Sequence, residues 1–93
     1  MTARAVALAA ILNTMPGNDC EAQRRRMLTA MERLGSVTSF EGSRHLDCYD
    51  PRARVHELRR AGKRIKTIMR DEQTESGAYH RVGVWLLEGA ADA

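Results

Sequence analysis

Residues 50–66 (DPRARVHELRRAGKRIK) determine how the rest of the chain is interpreted. The first residue, an aspartate, is a good N-cap, and the proline after it suits the first helical position, where a missing N–H costs nothing. Val55 and Leu58 lie on one face of the resulting helix, and Gly62 supplies the left-handed residue that often ends one. The segment therefore predicts a short, sharply bounded helix with a single apolar stripe.

Basic side chains cover most of the remaining surface of this predicted helix and of its exit. They are interrupted by one acid, Glu57. A capped helix of this composition is typical of a helix that reads DNA in the major groove. A solvated surface helix is the alternative that the segment alone leaves open. The basic residues are Arg52, Arg54, Arg59, Arg60, Lys63, Arg64 and Lys66.

The length and charge of the chain limit the classes of function. Its 93 residues predict one domain, with little room for a catalytic cleft beside the core. A formal charge of +3 and a pI near 9.3 make phosphate backbones plausible partners. Cys20 and Cys48 fit no C-x-x-C pattern, so we expect reduced thiols and a cytoplasmic, nucleoid-associated protein.

Residues 1–17 form an extension whose apolar run is too short to span a bilayer, and we expect no membrane association. No clear cleavage site follows the run, which argues against a signal peptide. We expect a short helix that packs on the domain or on a second copy, because its apolar residues should not be left in water. The alternative is that Met15 is the natural start and that the residues before it are poorly ordered. The apolar residues are Val6, Leu8, Ile11 and Leu12.

A second helix is predicted after Asn18 and Asp19, which can cap it, and it should end at Gly35. Apolar residues at i, i+1, i+4 and i+7 form one face of this helix. The three arginines at positions 24–26 are interpreted as a solvated patch. The apolar residues are Met27, Leu28, Met31 and Leu34.

Residues 38–41 (TSFE) have the pattern of a capping box and predict a third helix that runs to about Leu46. Gly42 and Ser43 are poor helix formers, but small residues allow another helix to cross closely. The connection 47–49 has about the length found between the two helices of a helix-turn-helix motif.

After the helix of residues 50–61 the pattern becomes extended. Residues 64–70 and 79–87 alternate and carry β-branched residues, and the polar loop 71–78 suits a hairpin between them. Residues 89–93 are expected to form a frayed tail. The side chains expected on the inner face of the hairpin are Ile65, Trp85 and Leu87.

The sequence resembles the short winged helix-turn-helix proteins encoded by bacteria, phages and other mobile elements. Residues 38–41, Leu46 and, above all, residues 53–65 carry the likeness, which covers about residues 20–87. It implies a mainly α fold with a small β-hairpin, in which a three-helix core and a two-stranded wing are preceded by an extra N-terminal helix. The domain would comprise residues 18–88. A glycine at position 42 departs from the family, where a larger apolar residue usually stands.

The resemblance implies DNA binding, and a step of about 100° per residue separates the faces of the recognition helix. Pro51, Val55, Leu58 and Gly62 cluster on its buried side. Arg52, near the N-terminus, is the best candidate to contact a guanine edge. His56 would reach a neighbouring base, and Ala53 would meet a thymine methyl group.

Other basic residues are assigned to the DNA backbone. Arg59, Arg60 and Lys63 would contact phosphates, which fix the register without reading the sequence. Arg54 pairs either with an acid such as Glu41 or with a phosphate. The complete set of predicted DNA-binding residues is Ser39, Arg44, Arg52, Ala53, Arg54, His56, Arg59, Arg60, Lys63, Arg64, Lys66, Arg70 and Arg81.

The loop of the predicted wing carries Asp71, Glu72 and Glu75, which phosphates would repel. We therefore expect only the strands of the wing to approach the DNA backbone. The acidic tip would stay in solvent or meet a basic protein partner. The strand residues concerned are Lys66, Arg70, His80 and Arg81.

Enzymatic and metal-binding functions find little support in the sequence. His45, Asp47 and Cys48 lack the spacing of zinc ligands, and no phosphate-cradling loop or nucleophile–base set is present. We expect no enzymatic activity and no cofactor. The leading interpretation is a transcriptional regulator that binds specific double-stranded DNA as a homodimer or a cooperative array. The alternatives are an excisionase-like architectural factor of a mobile element and a winged helix that binds another protein.

Overall fold

Four helices and three strands make up the described part of the chain, which is residues 2–89 of a computed structural model. The predicted mainly α fold with a two-stranded hairpin is confirmed, and a third, short antiparallel strand that was not predicted joins its sheet. Residues 90–93 of the expected frayed tail lie outside the described residues. The helices are Ala3–Thr14 (α1), Cys20–Leu34 (α2), Ser39–Arg44 (α3) and Pro51–Arg60 (α4), and the strands are Val37–Thr38 (β1), Ile65–Gln73 (β2) and Tyr79–Leu87 (β3).

The helix boundaries follow local capping chemistry. Asp50 accepts a hydrogen bond from the backbone N–H of Ala53 at 3.2 Å, and Asp19 caps α2 in the same way. In the predicted capping box, the Glu41 N–H donates to Thr38 Oγ1 and the Thr38 N–H donates to Glu41 Oε1, both at 3.0 Å. Helix α3 ends at Arg44, two residues before the predicted end. These caps account for the residues at which α2, α3 and α4 begin.

The sheet has the strand order β1-β3-β2, so β3 lies in the middle. Strand β1 pairs Val37 with Trp85 and Thr38 with Val84. Strand β1 was not predicted, because a strand of two residues shows no alternation.

Strand β2 is longer than predicted. It extends to Gln73, so Asp71 and Glu72 belong to the strand and not to the tip of the wing. In this added part of the ladder, Asp71 lies opposite Arg81 and Glu72 lies opposite His80. The connecting turn is reduced to residues 74–78, in which Glu75 is the single acid.

One hydrophobic core joins α1, α2, α4 and the turn after α3 to the sheet. Ile65 and Trp85 are buried and Leu87 packs against them, so the predicted inner face of the hairpin is confirmed. Val6 is an exception to the expectation for the N-terminal extension, because it lies exposed on α1. The buried core residues are Leu8, Ile11, Met27, Ala30, Met31, Val37, Leu46, Cys48, Val55, Leu58, Ile65 and Trp85.

The interpretation of the arginines at positions 24–26 as a solvated patch is wrong for Arg26, which is fully buried. Its Nε donates to the carbonyl of Leu46 at 2.7 Å, and Nη1 donates to the carbonyls of Met15 and Gly17 at 2.9 and 2.8 Å. Arg26 lies one turn before Ala30, on the face of α2 that enters the core. A buried charge needs such partners, and here the partners are the carbonyls of two connecting segments.

Gly42 lies where α3 crosses its neighbours, as the small residues predicted. An added Cβ would lie 2.9 Å from Met27 Sδ and 3.1 Å from Pro51 Cβ. No larger side chain fits here unless α4 or the Met27 side chain moves. The departure from the family pattern is therefore matched by close packing at the start of α4.

Candidate nucleic-acid interface

Helix α4 presents one polar face to solvent. Arg52, His56 and Arg60, spaced four residues apart, are exposed, whereas Val55 and Leu58 are buried in the core. The predicted buried side is confirmed for Val55 and Leu58, whereas Pro51 is only partly buried and Gly62, which lies beyond the end of the helix, is exposed. Contact of this face with DNA stays a prediction.

The unpaired cations of the chain are concentrated on and after α4. Seven basic side chains form no ion pair or side-chain hydrogen bond with any residue between 2 and 89, and two of these, Arg25 and Arg33, are on α2. The other five are free to neutralise an external anion. They are Arg52, Arg60, Lys63, Lys66 and Arg81.

Arg54 is not part of this free set. Its Nη2 donates to Glu57 Oε2 at 3.0 Å, its Nη1 donates to Gln23 Oε1 at 3.3 Å, and its side chain is only 12% exposed. Of the two alternatives for Arg54, the structure shows the pairing with an acid, but this acid is Glu57, three residues along the same helix, and not Glu41. Arg54 therefore serves the contact between α2 and α4 and is poorly placed for a phosphate.

Glu57 joins α2 to α4 through two arginines. Arg24 Nη1 donates to Glu57 Oε1 at 2.9 Å, and Arg54 Nε lies 2.8 Å from the same oxygen. The hydrogen bond from Arg24, followed by that from Arg54, holds the pKa of Glu57 below its usual value. The one acid among the basic residues of α4 is thus neutralised, which leaves the exposed face of this helix positive.

Glu41 is held by α1 instead. Arg4 Nε lies 2.5 Å from Glu41 Oε2, and Arg4 Nη2 donates to Glu41 Oε1 at 2.9 Å and to the carbonyl of Ser36 at 2.8 Å. Burial alone would raise the pKa of Glu41, but the hydrogen bonds from Arg4 and the Thr38 N–H outweigh it and lower the pKa. The N-terminal helix is thereby fixed to the start of α3.

Arg59 fixes the angle between α4 and β2. Its Nε and Nη2 donate to the carbonyl of Ile65 at 3.0 and 2.8 Å, and Nη2 also donates to Thr67 Oγ1 at 2.8 Å. The predicted phosphate contact competes with these bonds within the chain. Arg59 is better described as a residue that positions the wing.

Two more of the predicted DNA-binding residues, Arg70 and Arg44, are paired with acids of the hairpin and its turn. Arg70 donates to Glu72 Oε1 at 2.6 and 2.9 Å. Arg44 forms an ion pair with Glu75 and lies over the ring of Phe40, 5.5 Å from its centre. Arg64, whose side chain is largely exposed, lies 4.0 Å from Glu88.

A comparison with protein families decides how these elements are classified. A family model described as "Winged helix-turn-helix domain" matches residues 22–89, which is most of the chain. The chain belongs to this family. Membership supports DNA binding in general and DNA as a partner. No curated protein gave a significant match.

In this winged helix, α3 and α4 are the helix-turn-helix pair and β2 with β3 forms the wing. A shallow groove of about 410 Å³ separates the start of α4 from β3. Its rim includes Ser39, Arg52 and Tyr49, so two of the predicted residues lie on one groove. Ala53 is half-buried beside Arg52 and its N–H bonds to the helix cap.

Tyr49 is a surface residue that the sequence analysis passed over. It is 97% exposed, directly before the N-cap of the recognition helix. The signal was present, because an aromatic residue in a turn of a protein with few aromatics is unusual. Its place beside the groove makes it a candidate contact for DNA.

Membrane and metal sites find no support in the part of the chain that the structure describes. None of the helices there is long and apolar enough to cross a membrane. Within residues 2–89 no three His, Cys, Asp or Glu side chains are grouped as metal ligands would be.

Proposed function

We propose that the chain is a sequence-specific double-stranded DNA-binding protein, a transcriptional regulator that acts as paired copies with α4 in the major groove. One observation carries the proposal. The exposed stripe of α4 holds Arg52, His56 and Arg60, and its only acid is neutralised by Arg24 and Arg54. A helix of this kind in a winged helix-turn-helix domain presents both base-reading and phosphate-binding groups.

The position of each side chain along α4 assigns its role. Arg52 is in the first turn, where side chains reach base edges most easily, and it suits the O6 and N7 acceptors of guanine. His56 follows one turn later. Arg60 and Lys63 lie at the far end of the helix and its exit, where phosphates pass.

The wing contributes less positive charge than its arginines suggest. Arg70 and Arg44 are paired with Glu72 and Glu75. Lys66 and Arg81 remain for the backbone, together with Arg60 and Lys63 of the α4 region. We therefore count about four phosphate contacts per copy.

This count makes the salt dependence of binding a sharp test. Duplexes selected from a random pool are titrated with the protein at several salt concentrations. About four contacts per copy give a slope of log K against log[salt] of about −3.6, or about −7 for two copies. A slope near zero would exclude a DNA-binding function and favour the protein-interaction module. For the same number of bound copies, a slope about twice as steep as these values would mean that the paired arginines also bind phosphates.

The footprint on the selected DNA separates the regulator from the excision factor. The regulator predicts a single site with two half-sites related by a twofold axis. Several direct repeats that are filled cooperatively, with bending of the DNA, would contradict the regulator and support the excisionase-like alternative.

A further inference from the structure

Strand β2 forms an open edge of the sheet. It is the outer strand in the order β1-β3-β2, it runs for nine residues, and its pairing with β3 has an unbroken register. Proteins usually protect a long regular edge strand with prolines, bulges or covering elements, because its free backbone groups can pair with another chain. Among residues 2–89, the side chain of Arg59 bonds to this edge at the carbonyl of Ile65.

The hydrogen bonds at the two ends of the hairpin show which groups face outward. The Glu88 N–H donates to the Arg64 carbonyl at 2.8 Å, and the Thr74 N–H donates to the Ala78 carbonyl at 2.9 Å. Backbone bonding alternates along an antiparallel pair, so the even-numbered residues of β2 bond to β3. The odd-numbered residues direct their N–H and C=O groups away from the sheet. The Ile65 carbonyl, bonded by Arg59, is one of these outward groups.

We infer that this edge pairs antiparallel with the same edge of a second copy, centred on Met69, to give a continuous six-stranded sheet. In this register Thr67 lies opposite Asp71 and Met69 lies opposite itself, so outward backbone groups meet outward groups. Next to each Thr67–Asp71 pair, on the side away from the centre, Lys66 of one copy faces Glu72 of the other, twice per dimer. These side chains belong to the closer, non-hydrogen-bonded type of pair.

The charges of β2 select this register over its neighbours. A shift of one strand against the other by two residues keeps the backbone bonds. In one direction the shift places Lys66 opposite Arg70, and in the other it places Arg70 opposite itself. Both put like charges in contact, which destabilises a sheet. The centred register also has the longest overlap.

Two exposed apolar side chains lie at the middle of the β2 edge. Ile68 and Met69 are 40% and 52% exposed in the single chain; Met69 is the centre of the inferred pairing and Ile68 is next to it. The second copy would cover part of each side chain, which adds hydrophobic stabilisation to the backbone bonds. The edge of β2 would be the surface through which the two copies of the proposed function associate. This association does not require DNA. In the dimer Lys66 leaves the phosphate contacts, which reduces the salt slope per copy by about one.

Sedimentation equilibrium of the full chain without DNA tests the inference. The unmodified protein is expected to dimerise. Lys66→Glu and Glu72→Lys each place like charges opposite one another twice, and each should raise the dimer dissociation constant by about tenfold or more. The double variant restores opposite charges and should restore the dimer. Arg25→Glu, the same reversal of charge on α2, is the matched control and should leave the dimer unchanged.

Amide hydrogen exchange gives a second, direct readout. The N–H groups of Thr67, Met69 and Asp71 should become protected as the protein concentration rises, while those of the even-numbered residues are protected at every concentration. A monomer at all concentrations would overturn the inference, as would a dimer that the single reversals do not weaken or the double reversal does not restore. Because no DNA is present, a monomer that still binds DNA would overturn only this inference and leave the proposed function intact.

Discussion

Replacement of Arg26 by methionine is the substitution for which the structure predicts the largest loss of stability. The guanidinium donates to the carbonyls of Leu46, Met15 and Gly17, which lie in the turn of the helix-turn-helix and in the connection between α1 and α2. Methionine keeps most of the apolar stem and removes every donor. Helix α2 and the two connecting segments that meet at this side chain would then lose their common anchor.

The expected loss of stability on Arg26→Met follows from how deeply each of these hydrogen bonds is buried. A hydrogen bond from a charged donor contributes about 1.5–3 kcal/mol. The bond to Leu46 is buried and its carbonyl would stay unsatisfied, whereas the bonds to Met15 and Gly17 are partly buried, so water can replace them in part. Removal of a buried charge also relieves its desolvation cost. We expect a net loss of about 2–4 kcal/mol, a large share of the about 5–15 kcal/mol that stabilises a typical domain.

Urea unfolding followed by the fluorescence of Trp85 measures this loss, since Trp85 is the single tryptophan and is buried. With a slope of about 1 kcal/mol per molar urea, the midpoint should fall by about 2–4 M or the variant should be unfolded in water. Arg25→Met is the matched control, because Arg25 is the exposed neighbour on the same helix, and it should change stability by less than about 0.5 kcal/mol. Equal effects of the two substitutions would refute the assigned role of Arg26.

Two further predictions concern the core. Gly42→Ala should lower the free energy of unfolding by about 1–2 kcal/mol despite the better helix propensity of alanine, because the new Cβ presses on Met27 and Pro51. Gly83→Ala, whose nearest neighbours lie at 4.0 Å, is its control, and a Gly42→Ala protein as stable as the original would show that α4 and the Met27 side chain move at little cost. Burial raises the pKa of Cys48 from 9.0 to about 11, so its contribution to stability is complete below pH about 9 and is lost as the pH rises through about 11. Stability curves between pH 8 and about 11 should fall more steeply for the original protein than for Cys48→Ala, and parallel curves would argue against this thiol as the cause.

The features that the sequence predicted well are those with local causes. The capping box at Thr38 and Glu41 and the cap at Asp50 involve residues three positions apart, so their geometry is written in the sequence. The same holds for the faces of α4, where Val55 and Leu58 enter the core and Arg52 does not. These local signals were enough to predict the order of the helices and the orientation of the recognition helix.

The features that were missed depend on neighbours distant in the chain. Arg25 and Arg26 are identical residues side by side, and only the carbonyls brought from Leu46 and Met15 make one of them a core residue. Likewise the partner of Arg54 could not be chosen, because Glu41 is already held by Arg4 from the N-terminal helix. Charge counting along the sequence cannot tell a free arginine from a neutralised one.

The same limit applies to the interface with DNA. Thirteen residues were predicted to bind DNA, and Arg54, Arg59, Arg70 and Arg44 have partners within the chain. Those partners come from sheet register and from helix packing, which no periodicity reveals. What remains is a smaller set of free cations centred on α4, and the salt slope of binding reports its size.

The most direct test of the central claim is the discrimination between a selected duplex and a random one by Arg52→Ala and Arg60→Ala. Arg52→Ala should weaken binding to the selected duplex by about 1–3 kcal/mol and leave binding to the random duplex nearly unchanged, because a base contact is lost. Arg60→Ala should weaken both alike and reduce the salt slope by about one. If Arg52→Ala weakens both duplexes equally while Arg60→Ala removes discrimination, the first turn of α4 does not read the bases.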